Sequence, residues 1–483
     1  MKGVQFTDVI IVGAGLSGIG AACHLARKSP GKTYQILESR SEIGGTWSLF
    51  KYPGIRSDSD MYTFGYSFKT WDNPKSFADA PSILAYLEEV AEEYEVHEKI
   101  RYYARVKSAH FDTDSNVWSV TIEDTRSLEE VTCQCRVLFS CTGYYNYENG
   151  YTPDFEGIED FRGDVVHPQH WPEHLDYRQK KVVVIGSGAT AVTIIPEMAE
   201  HTAAITMLQR SPSYVGAFPN EDKVAGFLKR ILPKRVAHQA IRFKNILVQM
   251  LFFQACRIWP EKMKELLIKG AQERLGDFPA KPHFEPHYKP WDQRFCIAPD
   301  GDLFASIKEG KATVVTDHIE RITPEGIKLK SGGELPADII VTATGLQLLA
   351  FGGAEVTIGD KPFDAAKSLT YKGLMLSGLP NSIFFAGYTN ASWTLKSDLT
   401  SEYASRLLRY MDRKGHTSFM PQGADSQMET MPLLNLNSGY IHRSAHEFPR
   451  QGSKMPWRLY QNYFLDFIVL RMSSIKDKYL KFE

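Results

Sequence analysis

Residues 8–18, DVIIVGAGLSG, decide the fold of this 483-residue chain. DVIIV is a short apolar run typical of a buried strand, and Gly13, Gly15 and Gly18 then form the pattern G-x-G-x-x-G at the start of a helical segment. A second apolar run, YQILE, ends in Glu38, 25 residues after Gly13. This order of strand, glycine turn, helix, strand and acid predicts a dinucleotide-binding βαβ unit.

Each of these four residues has a physical role in such a unit. Gly13 permits the tight turn, and Gly15 lets the backbone approach a pyrophosphate held at the helix N-terminus. Gly18 allows the helix to pack closely on the strand. Glu38 would accept hydrogen bonds from a ribose with a free 2′-OH. We therefore expect the first turn to bind FAD.

The same order recurs in KVVVIGSGATA, which begins at residue 181, and the strand AITMLQ that follows it. This turn has the variant pattern G-x-G-x-x-A and includes Gly186, Gly188, Ala189, Thr190 and Ala191. No acid follows the second strand, because Arg210 and Ser211 stand there instead. A guanidinium binds a phosphate through two N–H groups, so Arg210 favours a ribose with a 2′-phosphate; the alternative is a surface arginine without a ligand. We expect NADPH at this turn, and two such cofactors in one chain imply hydride transfer between them.

Composition argues against several classes of protein. The net charge is −1 at pH 7, so nucleic acid is not expected as a partner. The chain has no run of about 18 apolar residues, so no membrane span is expected, and its N-terminus lacks the basic lead and cleavage site of a signal peptide. The six cysteines are scattered, with neither a CxxC pair nor metal-ligand spacing. We expect a cytoplasmic enzyme without a metal site, and not a disulfide reductase.

Two similar stretches indicate where the chain passes between domains. VLFSCTGYYN at 137–146 and DIIVTATGLQ at 338–347 both leave an apolar strand through Thr-Gly. The predicted fold class is α/β, with two Rossmann-like dinucleotide-binding domains, for FAD and NADPH, the second inserted in the first, and with a helical subdomain. The predicted domains are 1–145 and 341–483 for FAD, 146–216 and 291–340 for NADPH, and 217–290 for the helical insertion.

The segment 223–269 combines large apolar residues with eleven Lys and Arg against two Glu. Such a segment can touch anionic lipid at the membrane periphery, or it can form a lid over a substrate pocket. The sequence favours a third interpretation, a helical subdomain that packs on the body and has a solvated basic face.

One further motif, FRGDVVHPQHWP at 161–172, lies just before the second glycine turn. It matches F-x-G-x-x-x-H-x-x-x-W-P through Phe161, Gly163, His167, Trp171 and Pro172. A second family pattern is GGTWSLFKYPGIRSD at 44–58. On these motifs the chain resembles the class B flavin monooxygenases of the Baeyer–Villiger family, and within it the subgroup that includes an ethionamide-activating monooxygenase. The resemblance runs from about residue 8 to residue 465.

The resemblance implies an FAD- and NADPH-dependent enzyme that inserts one oxygen atom of O2 into ketones. Esters or lactones would form through a C4a-peroxyflavin, and sulfides and thioamides are expected substrates as well. The expected partners are O2 and a small apolar ketone or sulfide. The alternative is a flavin monooxygenase that oxygenates only nitrogen or sulfur, and the Trp–Pro ending of the motif argues against it.

The resemblance also implies roles for particular residues. Arg294, in WDQRFCIAPDGD, would stabilise the oxyanion of the substrate adduct, and Asp58 would pair with it near the flavin. Asn390, in YTNASWTL, would face the flavin ring. His167 would tie down the linker between the domains rather than touch substrate. The backbone amides expected against the flavin are those of Gly44, Gly45, Thr46 and Trp47.

The chain departs from the family pattern at one position. Several members have a lysine directly before the catalytic arginine, where it helps to bind the 2′-phosphate, and this chain has Gln293 there. We therefore expect the preference for NADPH to depend on Arg210 and Ser211, with some use of NADH.

Overall fold

The first strand, Gln5–Val12, lies inside a nine-stranded sheet in the computed structural model, which describes residues 5–425, 427–434, 437–444 and 446–483. Its residues Val9, Ile10 and Ile11 are fully buried, as is usual where both faces of a parallel sheet are covered. We call the unit around this sheet the first domain. Across the sheet the strands are, in order, Lys361–Pro362, Glu355–Ile358, Ala104–Asp112, Val117–Asp124, Glu130–Ser140, Gln5–Val12, Tyr34–Leu37 and Ile100–Arg101, with Ser382–Phe384 also paired to Glu130–Ser140.

A second sheet has five strands, all parallel. In order they are Ala312–Thr316, Ala204–Gln209, Lys181–Ile185, Ile339–Thr342 and Asp164–Val166. All five come from residues 164–342, and strands of the larger sheet precede and follow them in the chain. This second domain is therefore inserted in the first, which confirms the predicted fold class; the numbered domain boundaries stay a prediction.

Short ribbons and helices complete the fold. The ribbons pair Val215–Phe218 with Cys296–Pro299, Tyr145–Gly150 with Leu346–Leu348, Thr370–Tyr371 with Met375–Leu376, Phe419–Pro421 with Leu480–Phe482 and Thr430–Pro432 with Arg450–Gly452, and a meander joins Ile319–Thr323, Gly326–Leu329 and Glu334–Pro336. The α-helices span Leu16–Lys28, Thr46–Leu49, Met61–Phe64, Ala80–Glu93, Ala189–Ala199, Lys223–Ile231, Lys234–Ile258, Pro260–Leu275, Asp302–Lys308, Trp393–Lys414, Gly439–Ser444 and Tyr463–Phe467. Among the described residues, no helix combines the length and the apolar content that crossing a membrane requires.

The two Thr-Gly exits meet in one ribbon, where Tyr145–Gly150 pairs antiparallel with Leu346–Leu348. The His167 ring packs directly on Gly150, where a Cβ would lie 2.0 Å from the imidazole Cε1. Nε2 of His167 lies 3.1 Å from the carbonyl oxygen of Gly345, and because a carbonyl only accepts, this nitrogen carries the proton. Burial lowers the pKa of His167, which favours a neutral ring. The histidine thus joins the linker to both crossings of the chain.

The segment 44–58 also passes from one domain to the other. Phe50 and Tyr52 are buried in the hydrophobic core of the second domain, where Val192 and Ile195 of the helix Ala189–Ala199 belong to the same cluster. The segment begins beside the first glycine turn, since the Gly44 N–H donates to the Ala14 carbonyl at 3.1 Å. The segment is therefore held by both domains, its start by the first and its middle by the second.

Three consecutive helices, Lys223–Ile231, Lys234–Ile258 and Pro260–Leu275, form the predicted helical subdomain. The middle helix is the longest α-helix in the described part of the chain, and at about 1.5 Å per residue it extends for roughly 37 Å. Its inner residues Ile246 and Met250 are buried against Tyr388 and Leu395 of the first domain.

A buried ion pair fastens this middle helix. The guanidinium of Arg242 donates to the carbonyl oxygens of Tyr62 and Gly65, at 2.9 and 2.6 Å, and to the Asp398 carboxylate at 3.0 Å. Nε2 of His24 lies 3.1 Å from the other oxygen of Asp398. Burial alone would raise the pKa of Asp398, but hydrogen bonding and charge from His24 and Arg242 lower it overall. The carboxylate is therefore ionised, and it needs its cation.

We predict that Arg242→Met lowers the free energy of unfolding by about 3–5 kcal/mol, because it leaves the Asp398 charge buried and unpaired. Arg235→Met, on the exposed side of the same helix, is the matched control and should change it by less than about 0.5 kcal/mol. Chemical denaturation followed by fluorescence measures both. Equal stability of the two variants would show that the Arg242 pair does not fasten the helix.

Candidate active site

One cavity of about 1600 Å³ is lined by both domains. A site for a single small molecule usually has roughly 300–1,000 Å³, so this cavity has room for two dinucleotides. The cavity brings together most of the residues predicted from the sequence. Those that line it are Gly13, Gly15, Glu38, Gly44, Gly45, Thr46, Trp47, Asp58, Gly186, Gly188, Ala189, Thr190, Arg210, Ser211 and Arg294.

The first glycine turn has the geometry that its residues predict. Gly13 has φ +102°, and a Cβ there would lie 2.7 Å from the carbonyl oxygen of Cys141, which directly follows the neighbouring strand Glu130–Ser140. A Cβ at Gly18 would lie 1.9 Å from the Gly13 carbonyl oxygen, so only glycine lets the helix approach this closely. Gly15 is the N-cap of the helix, and no described side chain caps it. The first N–H groups of the helix are thus available to an anion.

Glu38 directly follows the strand Tyr34–Leu37 of the first domain and is 5% exposed. Its two carboxylate oxygens accept from the backbone N–H groups of Ala14, at 2.8 Å, and Arg40, at 3.0 Å. These bonds fix the carboxylate at the edge of the cavity. Oε1 accepts in addition from the Ser39 hydroxyl at 3.4 Å, whereas Oε2 has a further lone pair with which it can accept from a ribose hydroxyl.

The start of the segment 44–58 lies across from the first turn. Gly45 has φ +57°, and a Cβ there would lie 3.1 Å from the Gly15 Cα. The backbones at these two positions therefore lie against one another in the cavity. The Thr46 hydroxyl is 3.5 Å from that of Tyr147, whose pKa is raised by burial, so that the phenol stays protonated.

The second glycine turn repeats this geometry. Gly186 has φ +142°, and a Cβ would lie 2.3 Å from the carbonyl oxygen of Ala343. Gly188 is the N-cap of the helix Ala189–Ala199, again without a side-chain cap from the described residues. Ala191 replaces the third glycine and is fully buried, so a methyl group is tolerated where the helix packs on the sheet.

Arg210 and Ser211 follow the second strand of this domain and line the cavity. The preceding Gln209 points elsewhere, since its Nε2 donates to the carbonyl oxygen of His283 at 2.7 Å. Arg210 is exposed and makes neither an ion pair nor a side-chain hydrogen bond within the described ranges. It is therefore available to a ligand.

Sequence reasoning missed Lys330, which lines the cavity on the same side. The backbone N–H of Asp317 donates to the Gln209 carbonyl at 3.0 Å, which places the 317–318 turn beside Arg210. The Lys330 N–H in turn donates to the His318 carbonyl at 2.9 Å. Lys330 belongs to a hairpin more than 100 residues away in the chain, so no local pattern could have linked it to Arg210.

Asp58 and Arg294, 236 residues apart, form a bidentate ion pair in the cavity. Nε of Arg294 donates to Oδ2 at 3.0 Å and Nη2 donates to Oδ1 at 3.1 Å. The side chain of Arg294 is 39% exposed and that of Asp58 is 25% exposed, so the pair is accessible from the cavity. Arg294 lies directly before the strand Cys296–Pro299, and Trp291 stacks on Phe295 in the same loop with 5.8 Å between ring centroids.

Other predicted residues lie off the cavity lining. Gly18 is buried where its helix packs on the Gly13 turn, and Asn390 is buried with its Nδ2 donating to the Gln461 carbonyl at 2.9 Å. Its Oδ1 accepts from none of the described residues. A direct contact of Asn390 with a flavin stays a prediction. The five motif residues Phe161, Gly163, His167, Trp171 and Pro172 are also absent from the lining.

Two of these motif residues have clear structural contacts. A Cβ at Gly163 would lie 2.1 Å from the Asp338 carbonyl oxygen, so the motif needs glycine where it meets the strand Ile339–Thr342. Trp171 packs edge-on to Tyr177, at 6.5 Å between centroids, beside the core of the second domain. The proposed role of the motif in coupling the domains stays a prediction.

Aromatic side chains, of which the sequence singled out only Trp47, form much of the remaining cavity surface. Trp393 stacks on Tyr144 at 5.2 Å between centroids, and its indole N–H donates to the Ser17 hydroxyl at 2.8 Å. Trp47 packs edge-on to Phe64 at 5.4 Å. All four rings line the cavity. Trp393 lies in the stretch YTNASWTL quoted above, but only the fold brings it to Tyr144.

The cavity also holds two thiols, those of Cys141 and Cys296. Burial raises the pKa of Cys296 to about 12 and that of Cys141 well above its usual value. Both groups therefore stay protonated at neutral pH. A thiolate is the nucleophile of disulfide chemistry, so this arrangement argues against a disulfide reductase.

Comparison with known proteins gives consistent relatives. The family model described as pyridine nucleotide-disulphide oxidoreductase matches residues 10–245. FAD-containing monooxygenase EthA of Mycobacterium tuberculosis is 50% identical over 480 residues, which is 99% of this chain and 98% of the relative. Probable FAD-binding monooxygenase AlmA of Acinetobacter baylyi is 46% identical over 478 residues, 99% of this chain and 96% of the relative.

Solved structures are similar in fold. An oxidized steroid monooxygenase bound to NADP aligns with a TM-score of 0.72 at 24% identity, covering 86% of this chain and 88% of that one. OTEMO in complex with FAD and NADP aligns with a TM-score of 0.71 at 23% identity, covering 87% of each chain. At these identities the likeness supports the two-domain architecture.

Proposed function

Since this chain belongs to the family of FAD-containing monooxygenases, we propose that it is an FAD- and NADPH-dependent Baeyer–Villiger monooxygenase that converts ketones to esters or lactones and also oxygenates sulfides. The observation that carries the proposal is the bidentate Asp58–Arg294 pair in a cavity that both glycine turns line. A cation held in this way can stabilise the negative charge that develops on the carbonyl oxygen when a ketone reacts.

The first turn fits FAD. The uncapped N-terminus of the helix Leu16–Lys28 offers backbone N–H groups to a pyrophosphate, and Glu38 offers a fixed carboxylate to the ribose. The backbones of Gly45 and Thr46 would lie against the flavin, with Trp47 beside it. When bound, FAD would supply the activation of O2 after reduction by NADPH; the residues of this chain would bind, orient and shield the reactants.

The second turn fits NADPH. Gly188, Ala189 and Thr190 begin a second uncapped helix, which would hold the pyrophosphate. Arg210 would bind the 2′-phosphate together with Ser211 and the Lys330 ammonium. Lys330 thereby replaces the cation that the chain lacks at Gln293. The OTEMO and steroid monooxygenase structures contain NADP, which supports this assignment.

Arg294 would stabilise the reacting ketone. Attack on a carbonyl leaves negative charge on its oxygen, and a guanidinium is always protonated, so it can donate to that oxygen throughout the reaction. Asp58 would act as a positioning residue, because its two hydrogen bonds hold one edge of the guanidinium in a fixed plane. The aromatic surface of Trp393, Tyr144 and Phe64 would bind an apolar substrate and exclude water.

We predict that Arg294→Met lowers kcat/KM for lactone formation from cyclohexanone by about 10²–10³-fold, since the oxyanion loses its donor. Oxidation of thioanisole should fall far less, because sulfur oxygenation places no oxyanion on the substrate. Gas chromatography of the products from both substrates measures the ratio of ketone to sulfide oxygenation. Asp58→Asn should shift the same ratio in the same direction by a smaller factor.

Arg257→Met is the matched control for Arg294→Met. Arg257 also pairs with an aspartate, Asp292, at 2.7 Å, and the two side chains are 47% and 25% exposed, but Arg257 lies off the cavity lining. Its replacement should leave both activities unchanged. If Arg294→Met reduced ketone and sulfide oxygenation equally, or if the wild type oxidised only sulfur, the alternative of a nitrogen- and sulfur-oxygenating enzyme would replace the proposal.

For the second cofactor we predict that Arg210→Ala raises the KM for NADPH roughly 10- to 100-fold and leaves that for NADH nearly unchanged, as expected when a charged hydrogen bond worth about 1.5–3 kcal/mol is lost. Lys330→Ala should act in the same direction. Lys328→Ala is the control, because the Lys328 ammonium is already paired with Glu320 at 2.9 Å. Equal effects on NADPH and NADH would remove the tested residue from the phosphate site.

A further inference from the structure

The helices Lys223–Ile231 and Lys234–Ile258 present an uncovered apolar surface. Six of its side chains are each between 51% and 59% exposed, and we call them the apolar face: Val224, Phe227, Ile231, Phe243, Val248 and Leu251. Their spacing keeps them together, since 224, 227 and 231 recur at one helical face and 243, 248 and 251 fall within another. Soluble surfaces rarely expose this many large apolar groups in one place.

The apolar face cannot turn inward, because an adjacent side of the longer helix is fastened to the body. Arg242 is buried with three carbonyl oxygens and Asp398, while Ile246 and Met250 belong to the cluster that includes Tyr388 and Leu395. The surface is thus a fixed feature of the fold: the helices pack on the body, as the sequence favoured, and exposed apolar side chains accompany the solvated cations.

Unpaired cations lie on the two helices that carry the apolar face and on the helix that follows them. Within the described part of the chain, Lys223, Arg230, Arg235 and Lys262 make neither an ion pair nor a side-chain hydrogen bond. The segment 223–269 holds eleven Lys and Arg against two Glu, although the whole chain has a net charge of −1. Six of the eleven pair with acidic side chains, so the unpaired positive charge of the segment rests on the remaining cations of these helices.

Exposed apolar side chains together with unpaired cations indicate which partner binds this surface. In a dimer built on this surface the unpaired cations of one copy would meet those of the other, which is unfavourable. An anionic bilayer offers negative headgroups to the cations and acyl chains to the apolar side chains, as for helices that lie in the membrane interface. We propose that the apolar face binds the surface of an anionic membrane, with both helices in its plane.

The location adds a consequence that rests on the proposed function. Met250, on the inner side of the longer helix, packs with Tyr388, and Tyr388 lines the cavity. Only about one helix diameter, 10–12 Å, therefore separates the bilayer from the catalytic cavity. Apolar ketones and sulfides dissolved in the membrane become the accessible substrate pool.

Flotation of the FAD-loaded full chain with lipid vesicles tests the binding. We expect the protein to float with vesicles of phosphatidylglycerol and phosphatidylcholine, to float poorly with pure phosphatidylcholine, and to be released by high salt. The variant Phe227→Ser/Phe243→Ser/Leu251→Ser should lower the partition coefficient by at least about tenfold, and so should Arg230→Ser/Arg235→Ser/Lys262→Ser.

A matched control carries three exposed apolar residues from elsewhere, Leu128→Ser/Val131→Ser/Val165→Ser, whose side chains are 69%, 40% and 41% exposed. It should bind vesicles like the wild type. All variants should keep flavin absorbance and activity on a water-soluble ketone. If the apolar variant loses them because it is misfolded, vesicle binding by the charge variant tests the proposal instead.

Three outcomes overturn the proposal: no flotation of the wild type with anionic vesicles, equal flotation of all variants, or a dimer in sedimentation that the apolar variant dissolves. The last would assign the surface to a second copy. Vesicle binding by a protein that oxygenates no ketone would keep the membrane proposal and reject only the proposed function.

Discussion

The Asp58–Arg294 ion pair is the interaction on which the catalytic account depends. A guanidinium is always charged, so its place in a cavity has to be set by a counter-charge with matching geometry. Asp58 provides it from the end of a segment that starts beside the first glycine turn and packs into the core of the second domain. Arg294 comes from a loop of the inserted part of the chain. The cation is thus positioned by both domains together, and its position depends on how they meet.

The inserted topology makes this meeting possible. In parallel α/β sheets ligands bind at the carboxyl ends of the strands, and here two such edges contribute to one cavity. The ribbon of Tyr145–Gly150 with Leu346–Leu348, tied to the linker by His167, joins the two crossings of the chain. Glycines are required there by contact: a side chain at Gly150 would collide with the imidazole, and one at Gly163 with a strand carbonyl.

The residues that the sequence predicted either lie close together in the chain or belong to a family motif. Gly13, Gly18 and Glu38 could be assigned because turn, helix packing and acid lie within one βαβ unit. Asp58 and Arg294, 236 residues apart, could be paired only through the resemblance. Lys330 beside Arg210, the stacking of Trp393 on Tyr144, and the position of Asn390 behind the cavity lining depend on tertiary packing, which no short pattern contains. The same holds for the apolar face, since periodicity shows which residues share a side of a helix but not which side is covered.

The most direct test of the central claim uses one probe that carries both a ketone and a thioether, incubated with the purified enzyme, NADPH and ¹⁸O₂. Mass spectrometry then locates the heavy atom in the product. The account predicts an ester or lactone that contains one labelled oxygen, because a cation fixed beside the substrate carbonyl favours oxygen insertion next to it. A labelled sulfoxide with the ketone intact would contradict it, and Arg294 would then have no part in stabilising an oxyanion.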